Sequence, residues 1–200
     1  MPVKFIPRRE IHELVRELQI ELDTYTPNIV ICGESPCRDF SEMRLTCDDC
    51  PEDTRSACLY DLRQRIKERL NGEGCIATTF EESAGITYAS MDEKLILLKD
   101  EVDLVVVIPT SEGSISELSS FAEDNKIRPK LRVLVPYMYH PFYGSSDSYV
   151  TSVYEELMAE YGHVYPFGLG GEVHPDPLDV ASTLVAVYKR RKLLELTRGQ

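Results

Sequence analysis

The stretch Asp103-Leu-Val-Val-Val-Ile-Pro-Thr110 predicts the central β-strand of the fold, because its apolar residues follow one another without alternation. Such a run is typical of a parallel strand that is covered by helices on both faces. Shorter apolar runs predict four more strands, at residues 28–32, 75–80, 131–135 and 163–167. The sequence therefore predicts a five-stranded sheet in the core of the protein.

Segments of helical periodicity separate these strands, at residues 9–25, 54–70, 91–101, 114–124, 149–161 and 177–197. Asp176 is placed to cap the last helix, and Pro177 suits its first position. Strands that alternate with helices indicate an α/β fold with an open, mainly parallel sheet, Rossmann-like or flavodoxin-like. We expect one domain over residues 1–200, with a cysteine-containing insertion at 36–58 after the first strand.

Composition and charge narrow the classes of partner. The chain has 200 residues, a hydrophobic content of 42% and a formal net charge of −12. Nucleic acid is an unfavourable partner for such an acidic chain, because binding its backbone requires many Lys and Arg residues. The apolar runs are shorter than the roughly 18 residues of a membrane span. The start, MPVKFIPRREIHELV, has no signal-peptide core, so we expect a cytoplasmic protein without a membrane partner.

Two loops at strand ends are the predicted ligand-binding segments. Ligands of open α/β sheets bind beyond the carboxyl ends of the strands, and small residues at a helix start expose backbone N–H groups to an anion. A phosphate or a ribose would fit such loops. The predicted ligand-binding residues are Gly33, Glu34 and Ser35 after the first strand, and Thr110, Ser111, Gly113 and Ser114 after the central strand.

Glu117 has two interpretations. The spacing Ser114-Ile-Ser-Glu117 fits a capping box, in which the two side chains bind the first backbone N–H groups of the helix. Alternatively, Glu117 projects from the first helical turn into the cleft, where its carboxylate could stabilise a sugar cation or attack an anomeric carbon. The spacing alone leaves both interpretations open.

The segment from Asp103 to Leu118 resembles a motif of the nucleoside 2-deoxyribosyltransferase-like and SLOG superfamily, in which a strand beginning with Asp leads into Gly-(Ser/Thr)-x-x-Glu-Leu. The resemblance covers residues 28–170, and its motif matches lie at 103–118 and 29–36. In the transferases the matching Glu is the nucleophile, and in the similar lysine-decarboxylase-like phosphoribohydrolases it assists N-glycosidic cleavage. A weaker similarity relates the segment to TIR domains, whose Glu cleaves NAD.

The resemblance implies cleavage or transfer at the N-glycosidic bond of a nucleoside or nucleotide, with Glu117 and Asp92 as catalytic residues and no organic cofactor. It also leaves open a nucleotide-sensing domain without catalysis, of the SLOG type, and a TIR-like NAD hydrolase. Tyr137, after the fourth strand, is placed to stack on a base. Members of this group often complete their pockets across a dimer, so a homodimer is a further expectation.

Four cysteines lie in the insertion, as Cys37-x9-Cys47-x2-Cys50-x7-Cys58. The Cys47-Asp-Asp-Cys50 spacing can present two thiolates to one metal ion, and a bound ion would order a polar segment. A structural zinc ion is the expected metal, and an iron–sulfur cluster is the alternative. Disulfides and free thiols are the alternatives to a metal site. For the function of the whole chain, a third hypothesis is a metal-stabilised interaction protein without activity. Cys32 and Cys75 are expected in the core.

Overall fold

The structure is a computed structural model, and it describes the chain over nine ranges. These ranges are residues 12–13, 16–17, 20–21, 24–33, 55–84, 90–109, 112–144, 149–168 and 175–198. Residues 12–13, 16–17, 20–21 and 24 are helical, in agreement with the predicted first helix. No helix in these ranges is long and apolar enough to cross a membrane.

A five-stranded sheet of parallel strands forms the centre of the molecule, as predicted. Its strands are β1 (Asn28–Gly33), β2 (Ile76–Thr79), β3 (Leu104–Ile108), β4 (Leu131–Pro136) and β5 (Val164–Phe167). They are arranged in the order β2-β1-β3-β4-β5. This is the flavodoxin-like order of a doubly wound α/β fold.

Six α-helices connect and flank these strands within the described ranges. They are α1 (Arg55–Gly72), α2 (Phe80–Ala84), α3 (Ser90–Leu97), α4 (Glu112–Ala122), α5 (Tyr149–Tyr161) and α6 (Pro177–Arg198). The short helix α2 was not predicted. Helix α3 ends at Leu97 instead of residue 101, where Lys130 Nζ donates to the carbonyl oxygens of Leu97 and Lys99 at 3.1 and 2.8 Å. Asp176 Oδ1 accepts from the Leu178 N–H at 2.7 Å, which confirms the predicted cap of α6.

Two apolar layers cover the two faces of the sheet. On one face, α1 and α6 pack against alternate residues of β1 and β3, such as Ile31 and Val106. On the other face, α3, α4 and α5 pack against the residues between them, such as Cys32 and Val107. All residues of β3 are buried, which confirms the prediction from its uninterrupted apolar run.

Asp103 fixes the amino end of the sheet. Its Oδ2 accepts a hydrogen bond from the Asn28 N–H at 2.9 Å. Its Oδ1 accepts from the hydroxyls of Tyr25 and Tyr188 at 2.6 and 2.9 Å. The carboxylate thereby ties together the segment before β1, the start of β3 and helix α6. Asp103 of the sequence motif thus has a structural role.

Candidate active site

The candidate site lies at the carboxyl ends of β1 and β3. These strands are neighbours, and Gly33 pairs with Ile108 at their last residues. From β1 the chain continues to β2 on one side, and from β3 it continues to β4 on the other. Such a reversal of strand order opens a crevice above the sheet, which is the usual ligand site of this fold. The motif residues from 103 to 117 therefore lead into the crevice.

Glu117 is the central carboxylate of this site. It lies on α4, and its side chain is half-buried. Helix α4 begins at Glu112, so Ser114 stands inside its first turn, and the capping-box interpretation, which requires Ser114 at the N-cap, does not fit this helix start. Within the described part of the chain, no group donates a hydrogen bond to the Glu117 carboxylate. This arrangement leaves the carboxylate available to a ligand.

The surroundings of Glu117 favour its protonated form. Burial, followed by the negative charges of Glu93 and Glu81, raises the pKa of Glu117 to about 7, and Arg63 opposes this shift. A carboxyl group with such a pKa is divided between its neutral and ionised forms at neutral pH. It can therefore take up or release a proton under those conditions.

Arg63 supplies the positive charge of the site from helix α1. It is only 4% exposed. Its Nη1 lies 3.0 Å from Glu81 Oε1 on α2, and donates more weakly to the Gly33 carbonyl oxygen at 3.4 Å. A buried guanidinium needs such partners, because an unpaired buried charge is costly. Arg63 thus connects α1, α2 and the end of β1.

Glu93 and Cys32 are two further titratable groups near Glu117 among the described residues. Burial and then the charge of Glu81 raise the pKa of Glu93, which lies half-buried on α3. Burial and then Glu117 raise the pKa of the Cys32 thiol well above its usual range. The site therefore combines three carboxyl groups, at Glu81, Glu93 and Glu117, with one buried guanidinium.

The predicted site residues are distributed as follows. Gly33 ends β1, with its α-carbon close to Ile108 and Arg63. Gly113 is exposed and Ser114 is buried, both on α4 beside the crevice. Asp92 lies on α3, but its side chain is outside the described part of the structure, as are the residues Glu34, Ser35, Thr110 and Ser111. Their predicted roles stay predictions.

Tyr137 lies just beyond β4 and is half-buried. Its ring stacks on Tyr143, with 5.5 Å between the ring centroids and 12° between the planes. The Tyr143 ring in turn stacks on His140, whose Nδ1 accepts from the Phe142 N–H at 3.3 Å. One face of Tyr137 is therefore covered by protein, and stacking of a base on the ring stays a prediction.

The predicted metal ligands fall outside the described structure. Cys37, Cys47 and Cys50 are not among the described residues, and of Cys58 only the backbone, in α1, is described. Among the residues described, no group of three or more His, Cys, Asp or Glu residues is placed to hold a metal ion. Cys32 and Cys75 are buried free thiols, as expected of core residues.

Arg63, Glu81 and Glu93 are not singled out by the sequence analysis. The catalytic role predicted for Asp92 stays a prediction, because its side chain lies outside the described structure. One signal for Arg63 is present in the sequence. Arg63 precedes the buried residues Ile66 and Leu70 at the spacing of one helical face, so a charge stands on an otherwise apolar stripe. Glu81 and Glu93 carry no comparable signal, because they reach the site from separate helices.

Comparison with known proteins gives a similarity over part of the chain. A family model described as "STM3845 retron effector protein" matches residues 88–159. This region includes α3, β3, α4 and β4, and with them Glu93 and Glu117. A search of the curated proteins finds no match. Residues 88–159, less than half of the chain, are thus similar to this family of retron effector proteins.

Proposed function

We propose that the protein cleaves or transfers at the N-glycosidic bond of a nucleoside or nucleotide, with Glu117 as the central carboxylate. The observation that carries this proposal is a half-buried Glu117, at the switch point of the sheet, with a pKa raised to about 7. Strongly shifted carboxyl groups in a crevice are typical of catalytic acids and bases. The similarity of residues 88–159 to a retron effector family supports an effector role for this activity.

The chemistry requires a carboxylate beside the anomeric carbon. When the bond between C1′ and the base nitrogen breaks, its electron pair leaves with the base and positive charge develops on the sugar. The ionised form of Glu117 stabilises that charge or forms a bond to C1′. Water, or the hydroxyl or amine of an acceptor, then attacks C1′ and loses a proton. Hydrolysis and transfer differ only in this last partner.

The leaving base requires a proton, and a neutral carboxyl group near pH 7 can donate it. Glu93 is one candidate for this role, because it is half-buried on α3 and burial raises its pKa, which favours its neutral form. Asp92, the second catalytic residue predicted from the sequence, is the rival candidate. The variants Glu93→Gln and Asp92→Asn separate the two. The residue that acts as the acid is the one whose loss removes the alkaline limb of the pH–rate profile.

The test is release of a free base. The purified chain is incubated separately with NAD, with nucleoside monophosphates and with deoxynucleosides, and each mixture is analysed by chromatography. We expect base release from at least one class, and a loss of about 100-fold or more in Glu117→Gln. The control is Glu123→Gln, which removes an exposed carboxylate just after α4. Equal rates in Glu117→Gln and the wild type would refute the mechanism.

A nucleotide-sensing domain without catalysis is the alternative outcome of the same experiment. In that case none of the three substrate classes releases a base, but a nucleotide raises the melting temperature of the protein. Thermal unfolding with the same compounds distinguishes the two functions, because a ligand that binds the folded state stabilises it increasingly as the ligand concentration rises above Kd. Release without dependence on Glu117 would instead indicate a different catalytic group.

We also propose that Cys37, Cys47, Cys50 and Cys58 hold a structural zinc ion, as their spacing predicts. Metal analysis of protein purified without added metal tests this. About one equivalent of zinc is expected. One equivalent of zinc that is lost in a Cys47→Ser variant supports the assignment, and iron with bound sulfide indicates the rival cluster. Protein free of both metals contradicts the proposal.

A further inference from the structure

A cavity lies at the rim of the sheet opposite to Glu117. It has a volume of about 280 Å³ and opens at the amino ends of β3, β4 and β5. Its polar lining includes Lys130, Arg132, Tyr161, His163, Arg191 and Lys192. The volume is close to the lower limit of small-molecule sites, about 300 Å³. The proposed glycosidic chemistry makes no use of this cavity, and of the sequence motif only Asp103 lines it.

Arg132 is the buried charge of this cavity. It lies on β4 and is only 6% exposed. Its Nη1 donates to the carbonyl oxygens of Pro129 and Leu131 at 3.0 and 2.6 Å. Among the residues that the structure describes, no carboxylate forms an ion pair with it. A buried guanidinium with only carbonyl partners keeps a net positive charge that an anion would neutralise.

The acidic residues that line the cavity interact with residues other than Arg132. Asp103 accepts three hydrogen bonds, from Asn28, Tyr25 and Tyr188. Glu195 Oε1 pairs with Arg191 Nε at 3.0 Å across one turn of α6. Asp100 is exposed and its charge acts on Lys130. None of these three carboxylates therefore forms an ion pair with Arg132.

His163 lies in the same cavity and is also affected by Arg132 and Arg191. Burial, then Arg132 and Arg191, lower its pKa to about 4. The neighbouring rings are those of Tyr161, stacked at 5.8 Å between centroids, and Tyr165, whose hydroxyl lies 3.5 Å from His163 Nδ1. The imidazole is thus neutral at pH 7, and an anion bound beside it would favour its protonated form.

We propose that this cavity binds a small phosphate monoester or inorganic phosphate, with Arg132 as the buried anchor and Arg191 and Lys192 at the open side. A guanidinium matches the geometry of phosphate oxygens through paired N–H donors. The small volume favours phosphate, with or without a small organic group, over a dinucleotide. The site is separate from Glu117, so this inference does not depend on the proposed function.

The test is calorimetric binding of inorganic phosphate and of ribose 5-phosphate, at fixed ionic strength, with ribose as the uncharged control. We expect the phosphate compounds to bind and ribose not to bind. Arg132→Gln should abolish binding. Because that variant removes a buried side chain and could unfold, Arg191→Gln and Lys192→Gln provide a second test. Each should weaken binding about tenfold, the loss of one charge-assisted hydrogen bond.

The matched control is Arg190→Gln, which removes the same charge from an exposed position on α6 that does not line the cavity. This variant should retain full affinity. Tighter binding of ribose 5-phosphate identifies a sugar phosphate as the ligand class, and equal binding identifies the phosphate alone. Absence of binding by both compounds, or equal affinities of Arg190→Gln and Arg191→Gln, would overturn the proposal. Glu117→Gln should bind phosphate like the wild type, whatever its effect on base release.

Discussion

Asp103 and Glu117 stand at the two ends of β3 and show how differently one chemical group can be used. Asp103, just before the strand, accepts three hydrogen bonds and joins the start of β1 to α6. Glu117, beyond the strand, receives no hydrogen bond from the described residues and lies near two other carboxyl groups. The first arrangement stabilises the fold. The second keeps an energetically unfavourable charge in a crevice, as active sites often do.

Among the described residues, the carboxyl ends of the strands and their amino ends (the amino rim) also differ in the sign of their excess charge. Carboxyl groups predominate around Glu117, and the pKa of Glu117 is raised. Cationic side chains surround His163 at the amino rim, and the pKa of His163 is lowered. Ionisation of Glu117, at the carboxyl ends of the strands, should therefore destabilise the protein as the pH rises. Protonation of His163, at the amino rim, should destabilise it as the pH falls. The following predictions test this contrast.

The largest effect is expected from Asp103→Ala. The change leaves the Asn28 N–H and the hydroxyls of Tyr25 and Tyr188 without their shared acceptor. We expect the free energy of unfolding to fall by about 3 kcal/mol, since hydrogen bonds to charged groups contribute about 1.5–3 kcal/mol each. Urea denaturation measures the change, with Asp100→Ala as the exposed control. A loss below about 1 kcal/mol would show that Asp103 is not a structural anchor.

Glu117→Gln should stabilise the protein at alkaline pH. The folded pKa of Glu117, about 7, exceeds the ordinary 4.5, so its favourable contribution is complete below pH 4.5 and is lost as the pH rises through 7. At 1.36 kcal/mol per pKa unit, reduced for partial exposure, the variant should gain about 2 kcal/mol at pH 8.

Urea unfolding of the wild type and Glu117→Gln at pH 5 and pH 8 measures this gain, with Glu123→Gln as the control. The gain should nearly vanish at pH 5. A variant that is less stable than the wild type at pH 8 would mean that the carboxylate has a stabilising partner.

His163→Gln should show the opposite dependence on pH. The folded pKa of His163, about 4, lies below the ordinary 6.5, so the stability of the neutral form is present above pH 6.5 and is lost as the pH falls through 4. Relative to the wild type, the variant should gain about 1 kcal/mol between pH 7 and pH 5, after allowance for partial exposure. His12→Gln, on the exposed face of the first helix, is the control. A difference independent of pH would contradict the lowered pKa of His163.

The smallest effect is expected from Glu93→Gln. The change removes one of the two negative charges that raise the pKa of Glu117, whereas burial, the larger cause, remains. The gain in stability at pH 8 should therefore be smaller than that of Glu117→Gln. Combining both substitutions should give less than the sum of the single effects, because interacting sites are not additive. Full additivity in this double-mutant cycle would show that the two carboxyl groups do not interact.

The fold could be predicted because its signals are local. The consecutive apolar residues of β3 indicate burial on both faces, and Asp176 with Pro177 marks the start of α6. The errors concern the short helix α2 and the ends of other helices, where tertiary contacts decide. Lys130 reaches the end of α3 from a distant part of the chain, and no pattern within residues 91–101 could indicate that contact.

The site could be predicted only where it is continuous in sequence. Glu117 follows its strand at a short, recognisable spacing, and the resemblance to a known motif selected it. Arg63 and Glu81 join it from α1 and α2, and their approach depends on how those helices pack. The cavity beside Arg132 was not predicted for the same reason, because it is formed by the starts of three strands and the end of α6.

The central claim is that Glu117 is a carboxyl group whose surroundings resist its ionisation. The most direct test is a ¹³C NMR titration of the Glu117 side-chain carboxyl in the folded protein, assigned by its loss in Glu117→Gln. A midpoint near pH 7, which falls in Glu93→Gln, is the predicted result. A midpoint at or below 4.5, the ordinary value for Glu, would contradict the claim and remove the main support for the proposed mechanism.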